Sequence, residues 1–140
     1  MISDAIDTLK ALLGDRLNQS ISDRNLHGQS ESHFATTPPD AVAYPTSTDE
    51  VRAIVEICHQ HSCPIIGWGT GTSLEWHTLA VRGGVTVDFS RMTAVLEVSP
   101  QDMTVRIQPG VTREALNEEL RATGLFFPVD PGANASLGGM

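Results

Sequence analysis

A strand, a helix and a second strand follow one another between residues 41 and 66, and this pattern limits the possible folds more than any other stretch. The first strand is the apolar run Ala41–Tyr44. Ser47, with Glu50 three residues later, has the pattern of a capping box and predicts a helix start. The second strand begins at Ile65-Ile66. Because two strands joined by a helix pair in parallel through a right-handed crossover, the sequence predicts a βαβ unit. The buried stripe of its helix is predicted from Val51, Ile54, Val55 and Cys58.

A glycine-rich loop follows the second predicted strand. Glycine occupies every second position from Gly67 to Gly71, and hydroxyl side chains stand beside it at Thr70, Thr72 and Ser73. Glycine removes the Cβ atoms that keep a ligand away from the backbone, and consecutive N–H groups can converge on an anion. Ligand crevices in open α/β sheets lie at the carboxyl ends of parallel strands. The loop is therefore a candidate phosphate site, with a simple tight turn as the open alternative.

Two familiar phosphate motifs do not match this loop. A Walker A loop needs a lysine after its last glycine, and the only lysine of the chain is Lys10. The dinucleotide pattern G-x-G-x-x-G, counted from Gly67, finds Thr72 at its last position.

The rest of the sequence predicts an amino-terminal helix, an irregular arm and a second sheet. Residues 1–17 predict an amphipathic helix, and residues 18–40 predict an irregular surface arm. Alternating apolar residues near Val95 and from Met103 to Ile107 predict a hairpin, and Thr112 predicts the start of a helix. We expect residues 1–40 to form a helix and arm, residues 41–95 a first lobe and residues 96–140 an incomplete second lobe. Helix-stripe residues at the amino terminus are Ile2, Ala5, Ile6, Leu9, Leu12 and Leu13.

The charge of the chain argues against several classes of partner. The net charge is −8, and the basic residues are scattered. An acidic chain without a basic patch is not expected to bind nucleic acid or an anionic membrane surface. No apolar run approaches the ~20 residues of a membrane span, and the amino terminus does not resemble a signal peptide. The two cysteines form no disulfide framework, which favours a reducing, cytoplasmic compartment.

Five segments together resemble the FAD-binding domain shared by the vanillyl-alcohol oxidase and p-cresol methylhydroxylase flavoproteins. The resemblance covers about residues 18–140 and is strongest to the branch of D-lactate dehydrogenase, glycolate oxidase and D-2-hydroxyglutarate dehydrogenase. The segments are Pro45-x-Ser47-Thr48-x-Glu50-Val51, Gly69-Thr70-Gly71-Thr72-x-Leu74-Glu75, Val87-Asp88-Phe89-Ser90-Arg91-Met92, Pro109-Gly110-Val111 and Pro128 to Met140.

This resemblance implies an α+β fold in which a small βαβ lobe precedes a lobe with an antiparallel sheet, and FAD lies between them. It implies that Gly69, Thr70, Gly71, Thr72 and Ser73 hold the diphosphate. A second tier of cofactor contacts is implied at Pro131, Gly132, Ser136, Gly138 and Gly139. Relatives of this kind oxidise a 2-hydroxy acid to a 2-oxo acid by hydride transfer to the flavin. The flavin is expected to be non-covalent, because neither histidine nor cysteine stands among the glycines; His77 follows the loop.

Two departures from the family affect these expectations. Trp76 stands where the family has a small residue, and its indole is expected to narrow the site. The substrate domain and catalytic residues of the family lie beyond Met140, so no catalytic residue is assigned to this chain. The 140 residues alone are therefore expected to bind FAD weakly or not at all and to form a homo-oligomer. Peripheral attachment to the inner membrane is open for the complete enzyme.

Other readings of the sequence remain open beside the flavoenzyme. One is a non-catalytic module that keeps the fold and acts through protein contacts, and another is a different nucleotide-binding α/β domain. No metal site is predicted, because Cys58 of the Cys58–Cys63 segment belongs to the buried helix stripe. Strand alternation predicts that Asp88 and Glu97 face solvent, and Asp130 is expected to fix a turn.

Overall fold

A computed structural model of the chain describes residues 1–140 and places six strands in two sheets. Its α-helices are α1 (Ile2–Leu13), α2 (Ile21–Leu26), α3 (Thr48–Gln60) and α4 (Arg113–Leu120). Its strands are β1 (Leu17–Asn18), β2 (Ala41–Ala43), β3 (Ile65–Trp68), β4 (Val85–Asp88), β5 (Val95–Ser99) and β6 (Thr104–Ile107). The helices are all too short or too polar to cross a bilayer.

The first sheet contains the predicted βαβ unit. Its strand order is β1-β2-β4-β3, and β4 lies between the two strands that α3 connects. Strands β2, β4 and β3 are parallel, with Ala43 and Gly67 both opposite Val87. Their carboxyl ends therefore meet at one edge of the sheet, which is where the glycine loop begins.

Helices α1 and α3 cover one face of this sheet. Val85 and Val87 of β4 point into their shared core, so Thr86 and Asp88 belong to the opposite face. The first 40 residues share this core through α1 and β1. Members of the core cluster are Ala5, Ile6, Leu9, Leu13, Leu17, Ala41, Ala43, Ile54, Cys58, Cys63, Val85 and Val87.

The segment 18–40 is more ordered than an irregular arm, and that prediction was wrong in part. Asn18 pairs with Val42 and completes the antiparallel strand β1. Ser20 caps α2 by accepting a hydrogen bond from the Asp23 N–H. Arg24 Nε donates to the Pro39 carbonyl at 2.6 Å and closes the segment on itself. Polar composition hid these elements, because each is short and is fixed by contacts distant in sequence.

Two residues of the predicted helix stripes are exposed rather than buried. Leu12 is 44% exposed and Val55 is 47% exposed. In each helix the buried residues include a pair four positions apart, Leu9 with Leu13 in α1 and Ile54 with Cys58 in α3. An apolar residue one position from such a pair is rotated by about 100° and leaves the interface.

The start of α3 has half of the predicted capping box. The Ser47 hydroxyl accepts from the Glu50 N–H, as predicted. The Glu50 carboxylate instead accepts from the Thr46 N–H at 2.7 Å and from the Arg16 guanidinium. The hydrogen bond from Arg16 lowers the pKa of Glu50 to about 2. Arg16 precedes β1, so this ion pair joins the amino-terminal segment to the βαβ unit.

The second sheet is the predicted antiparallel hairpin of β5 and β6, with an irregularity between Val95 and Glu97. Helix α4 packs on one face of it. Val111, Leu116 and Leu120 are the buried centre, and Val95, Val98, Val105, Ile107, Phe127 and Leu137 pack around them. The chain thus has the predicted α+β architecture, a βαβ lobe followed by an antiparallel-sheet lobe.

Candidate functional site

The glycine loop leaves the carboxyl end of β3 and runs to a short 3₁₀ turn at Trp76–Thr78. No backbone N–H group of residues 69–74 donates a hydrogen bond within the protein. Residues 69–74 are exposed or half-buried, so these six donors are left to pair with water or with a ligand. Such a run of N–H groups can surround an anion without a cationic side chain.

The glycines of this loop make room for other parts of the protein. Gly71 has a φ of 70°, a conformation that side chains rarely adopt, and a Cβ there would clash with the Trp68 ring. A Cβ at Gly69 would clash with Ser136 Oγ. Gly67 has open space beside it. Because residues 69 and 71 lack a Cβ atom, Ser136 can pack against Gly69 and Trp68 against Gly71. This differs from the predicted reason for these glycines, which was the direct approach of a ligand to the backbone.

The hydroxyl groups of the loop divide into two kinds. Thr70 and Thr72 are exposed, and their Oγ1 atoms lie 3.2 Å apart. The Ser73 hydroxyl accepts from the Glu75 N–H at 3.2 Å and donates to the Glu75 carbonyl at 3.3 Å. Ser73 therefore fixes a local turn, whereas the two threonines present hydroxyls to the open side of the loop.

The carboxyl-terminal loop reaches the glycine loop through Ser136. Leu137 N–H donates to the Val111 carbonyl at 2.8 Å, and Gly138 N–H donates to the Pro109 carbonyl at 3.0 Å. These bonds place the buried Ser136 over Gly69, and the Ser136 hydroxyl has no hydrogen-bond partner within the protein. The two motifs that the sequence singled out are thus brought together at this point.

Other predicted residues of the second loop have different surroundings. Asp130 accepts from the Gly132 N–H at 2.9 Å and lies 3.4 Å from Arg113, so it fixes a turn as expected. Pro131 and Gly132 are exposed, and no hydrogen bond joins them to the glycine loop. Gly138 packs against Pro109, where a Cβ would come within 2.5 Å of the proline Cβ. The Gly139 N–H donates to the Ser136 carbonyl, at 3.2 Å.

Trp76 lies in an exposed aromatic stack. Its ring is 5.3 Å from that of Phe34, which in turn lies 4.2 Å from the His33 ring. The indole is 53% exposed and is held by the segment that follows α2. Whether it narrows a ligand site stays a prediction. His77 is exposed beside it.

A buried polar network beneath the glycine loop was missed by the sequence analysis. His27 is 1% exposed, and its Nε2 lies 2.8 Å from Asp88 Oδ2. Its Nδ1 lies 2.9 Å from the Asp23 carbonyl, and the Asp23 carboxylate accepts from the Tyr44 hydroxyl. The His27 ring is 4.8 Å from that of Trp68. The network therefore joins α2 to the carboxyl ends of β2, β3 and β4.

The prediction that Asp88 faces solvent was wrong. Asp88 is 5% exposed, because β4 is the central parallel strand and both of its faces are covered. Burial raises its pKa, but hydrogen bonds from His27 and Ser90 outweigh burial and leave the pKa below its ordinary value. Burial likewise lowers the pKa of His27, and the bonds to Asp88 and Asp23 outweigh it and raise the pKa. The alternation Val85-Thr86-Val87-Asp88 is typical of a strand with one solvated face, so the local sequence contained no signal that this strand is buried on both sides.

The predicted exposure of Glu97 is confirmed. It forms a surface ion pair with Arg106 at 3.0 Å, with both side chains at least 60% exposed. Cys58 is fully buried, and burial together with the neighbouring Cys63 raises the pKa of its thiol to about 12. A thiol with this pKa stays protonated at neutral pH and is a poor metal ligand.

Comparison with known proteins identifies relatives of the whole chain. A family model described as an FAD binding domain matches residues 39–140. The probable mitochondrial D-lactate dehydrogenase of Danio rerio is 43% identical over 140 residues, which are 99% of this chain and 28% of that protein. The chain thus spans less than a third of the length of this relative.

Solved structures agree with the fold. An alkyldihydroxyacetonephosphate synthase superposes with a TM-score of 0.87 at 29% identity, covering 98% of this chain and 30% of that one. A substrate-bound p-cresol methylhydroxylase gives a TM-score of 0.77 at 23% identity, over 88% of this chain and 25% of that one. At that identity the second likeness bears on the fold alone.

Proposed function

Because this chain belongs to the FAD binding domain family, we propose that it is the FAD-binding part of a flavin-dependent 2-hydroxy-acid dehydrogenase. The observation that carries this proposal is the run of six free N–H groups at residues 69–74, at the carboxyl end of a parallel strand. The chain has a net charge of −8 and no basic cluster beside the loop. A diphosphate held here is therefore bound by backbone dipoles and hydroxyls rather than by cations.

The loop fits a diphosphate in its residues as well as its backbone. Gly69, Thr70, Gly71, Thr72 and Ser73 would hold the two phosphates, with the exposed hydroxyls of Thr70 and Thr72 adding donors. Ser136 would add a further hydroxyl from the second loop. Pro131, Gly132, Gly138 and Gly139 complete the proposed second tier. For Gly138 and Gly139 the contact would not be an N–H donor, since both N–H groups already donate within the protein.

The proposed reaction is the oxidation of a 2-hydroxy acid to a 2-oxo acid. FAD, when bound, supplies the hydride acceptor for that step. The Danio rerio relative is named as a D-lactate dehydrogenase, which supports D-lactate as the substrate. Glycolate and D-2-hydroxyglutarate are the alternative substrates of the proposal. This chain contributes orientation of the cofactor, and no residue of it is assigned to catalysis. A cytoplasmic location stays part of the proposal, whereas that relative carries a mitochondrial name.

An anaerobic absorbance experiment tests the proposed activity. The complete protein, meaning the product of the whole reading frame, is purified with its flavin and mixed in turn with D-lactate, glycolate and D-2-hydroxyglutarate. Bleaching of the visible flavin bands by one of them is expected. A yellow protein that none of the three bleaches contradicts the proposed substrate class, and a colourless protein that binds no FAD favours a non-catalytic module.

The flavin is expected to be released when the complete protein is precipitated with acid. No histidine or cysteine stands between Gly67 and Ser73, and His77 is held outside the glycines on the 3₁₀ turn. Non-covalent FAD stays in the supernatant once the loop unfolds. The absorbance of supernatant and pellet measures this directly, and flavin that remains with the washed pellet would show a covalent bond.

Residues 1–140 by themselves are expected to form a colourless homo-oligomer. The β5–β6 sheet has two strands and two free edges, and such a sheet is marginal alone. A groove of about 190 Å³ opens between the hairpin and α4, and Met103 and Phe126 beside it are 80% and 70% exposed. A second copy could cover both features. Gel filtration with flavin absorbance checks this, and a yellow monomer with one FAD per chain would be the opposite result.

A further inference from the structure

The surroundings of His27 determine how many protons its ring must carry. Nδ1 faces the Asp23 carbonyl at 2.9 Å and the Asp23 carboxylate at 3.4 Å. Nε2 faces the Asp88 carboxylate at 2.8 Å. A neutral imidazole has one N–H and one lone pair, so it can satisfy only one of these sides. The doubly protonated ring donates to both.

The hydrogen bonds of Asp88 also favour its ionised form. Its Oδ1 accepts the Ser90 N–H at 2.7 Å, while Oδ2 faces His27. When His27 donates from Nε2, both oxygens of Asp88 act as acceptors, as those of an ionised carboxylate do. The directions of the two pKa shifts agree with this geometry, since that of His27 is raised and that of Asp88 is lowered.

The ring of His27 also supports the glycine loop. It packs against Trp68 at 4.8 Å, and the same indole fills the space that a Cβ of Gly71 would need. Trp68 is directly opposite Asp88 in the β3–β4 pairing. Contacts therefore pass from Asp23 and Asp88 through His27 and Trp68 to the backbone at Gly71.

We propose that His27 is a positioning residue for the diphosphate loop, held as an imidazolium between Asp23 and Asp88 and supporting Gly71 through the Trp68 ring. The inference rests on the proposed binding of FAD at residues 69–73. His27 itself does not contact the cofactor in this account. Its removal or deprotonation loosens the packing beneath the loop, and FAD affinity falls as a result.

The pH dependence follows from the charged and titratable groups that face His27. They are Asp23 on α2, Asp88 on β4 and Tyr44 after β2. The Arg91 guanidinium lies 5.1 Å from the centre of the Tyr44 ring. A raised pKa means that the folded state binds the proton more tightly than the unfolded state. The stabilisation by His27 is then complete below its ordinary pKa near 6.5 and is lost as the pH rises through the raised value.

The protonation state is tested first, without FAD, by nitrogen NMR of the imidazole rings in the complete protein. At about pH 7 we expect both nitrogens of His27 to carry a proton. A neutral His27 ring at that pH, with one nitrogen unprotonated, would overturn the inference. This measurement needs no substitution and does not depend on the proposed function.

The link to the loop is tested by measuring the Kd for FAD of the complete protein from about pH 6 to about pH 10, a range that spans the ordinary histidine pKa and extends above it. We expect the wild-type Kd to rise by about tenfold at alkaline pH, which corresponds to about 1.4 kcal/mol. In His27→Gln the Kd for FAD should be higher than that of the wild type at neutral pH and nearly independent of pH. The matched control His59→Gln replaces an exposed histidine of α3 and should follow the wild type.

The outcomes of this titration distinguish the positioning role of His27 from the proposed function of FAD binding. Saturable FAD binding whose pH dependence is the same in wild type and His27→Gln overturns the positioning role and leaves the proposed function intact. No FAD binding at any pH overturns the proposed function, and with it the role of His27 in it. If His27→Gln fails to fold, the wild-type Kd must still rise with pH for the inference to stand.

Discussion

Replacing Gly71 with valine is expected to weaken FAD binding by about a hundredfold or more, the largest loss from any single change in the loop. Gly71 has a φ of 70°, and holding a β-branched residue there costs about 1–3 kcal/mol. The new Cβ would also clash with the Trp68 ring, which is 8% exposed and cannot move freely. Together these effects of about 3 kcal/mol displace the backbone N–H groups from the phosphates, and about 2.7 kcal/mol already equals a hundredfold.

Two other substitutions in the same loop make this result specific. Ser73→Ala removes one hydroxyl hydrogen bond and should cost only about 1 kcal/mol, or about fivefold. Gly67→Ala is the steric control, since a Cβ at Gly67 has no heavy atom within 4 Å. Calorimetric titration of the complete protein with FAD measures all three. If Gly71→Val binds FAD as tightly as the parent, the loop is only a turn.

Replacing Asp88 with alanine is expected to lower the free energy of unfolding by about 3–5 kcal/mol. The carboxylate is buried and is the partner of the buried His27 ring at 2.8 Å. Removing one member of a buried pair leaves the other charge without compensation, and this is the costly way to break such a pair. The Ser90 N–H also loses its acceptor.

Glu97→Ala is the matched control for Asp88. Both carboxylates stand on strands, but Glu97 is paired with Arg106 on the surface. Exposed ion pairs contribute about 0.2–1 kcal/mol, so this change should be small. Urea denaturation at neutral pH gives both values. Equal losses for the two variants would mean that the Asp88–His27 pair is not buried in solution.

Local patterns in the sequence predicted most of the elements. Ser47 and Thr112 were found as helix caps, and each accepts the predicted type of N–H bond from the residue three positions on. Alternation of apolar residues located the β5–β6 hairpin. These features depend on neighbours within a few residues, so a single sequence contains the information that fixes them.

Features that depend on distant contacts were not predictable in the same way. Period-two alternation placed Asp88 on a solvated face, because it could not show that residues 20–40 cover that face. His27 lies 61 positions from Asp88, and nothing local marks the pair. The short helix α2 has six residues, too few for a periodic pattern to identify.

The glycine loop shows an intermediate case. Its position after β3 was predicted. For the carboxyl-terminal loop the prediction was contact with the cofactor, and the packing of Ser136 against Gly69 was not predicted. The reason for two of its glycines was different from the prediction, since Gly69 accommodates Ser136 and Gly71 accommodates Trp68. A requirement for glycine can be read from sequence more readily than the group that imposes it.

The most direct test of the diphosphate site is amide NMR of the complete protein labelled with nitrogen-15 in glycine. Upon addition of FAD or of ADP, the signals of Gly69 and Gly71 should shift and saturate, because their free N–H groups would then donate to phosphate oxygens. Riboflavin, which has the flavin ring but no phosphate, should leave them in place. Gly14, at the end of α1, is the internal control. Saturable FAD binding that leaves the Gly69 and Gly71 signals unmoved would contradict the account.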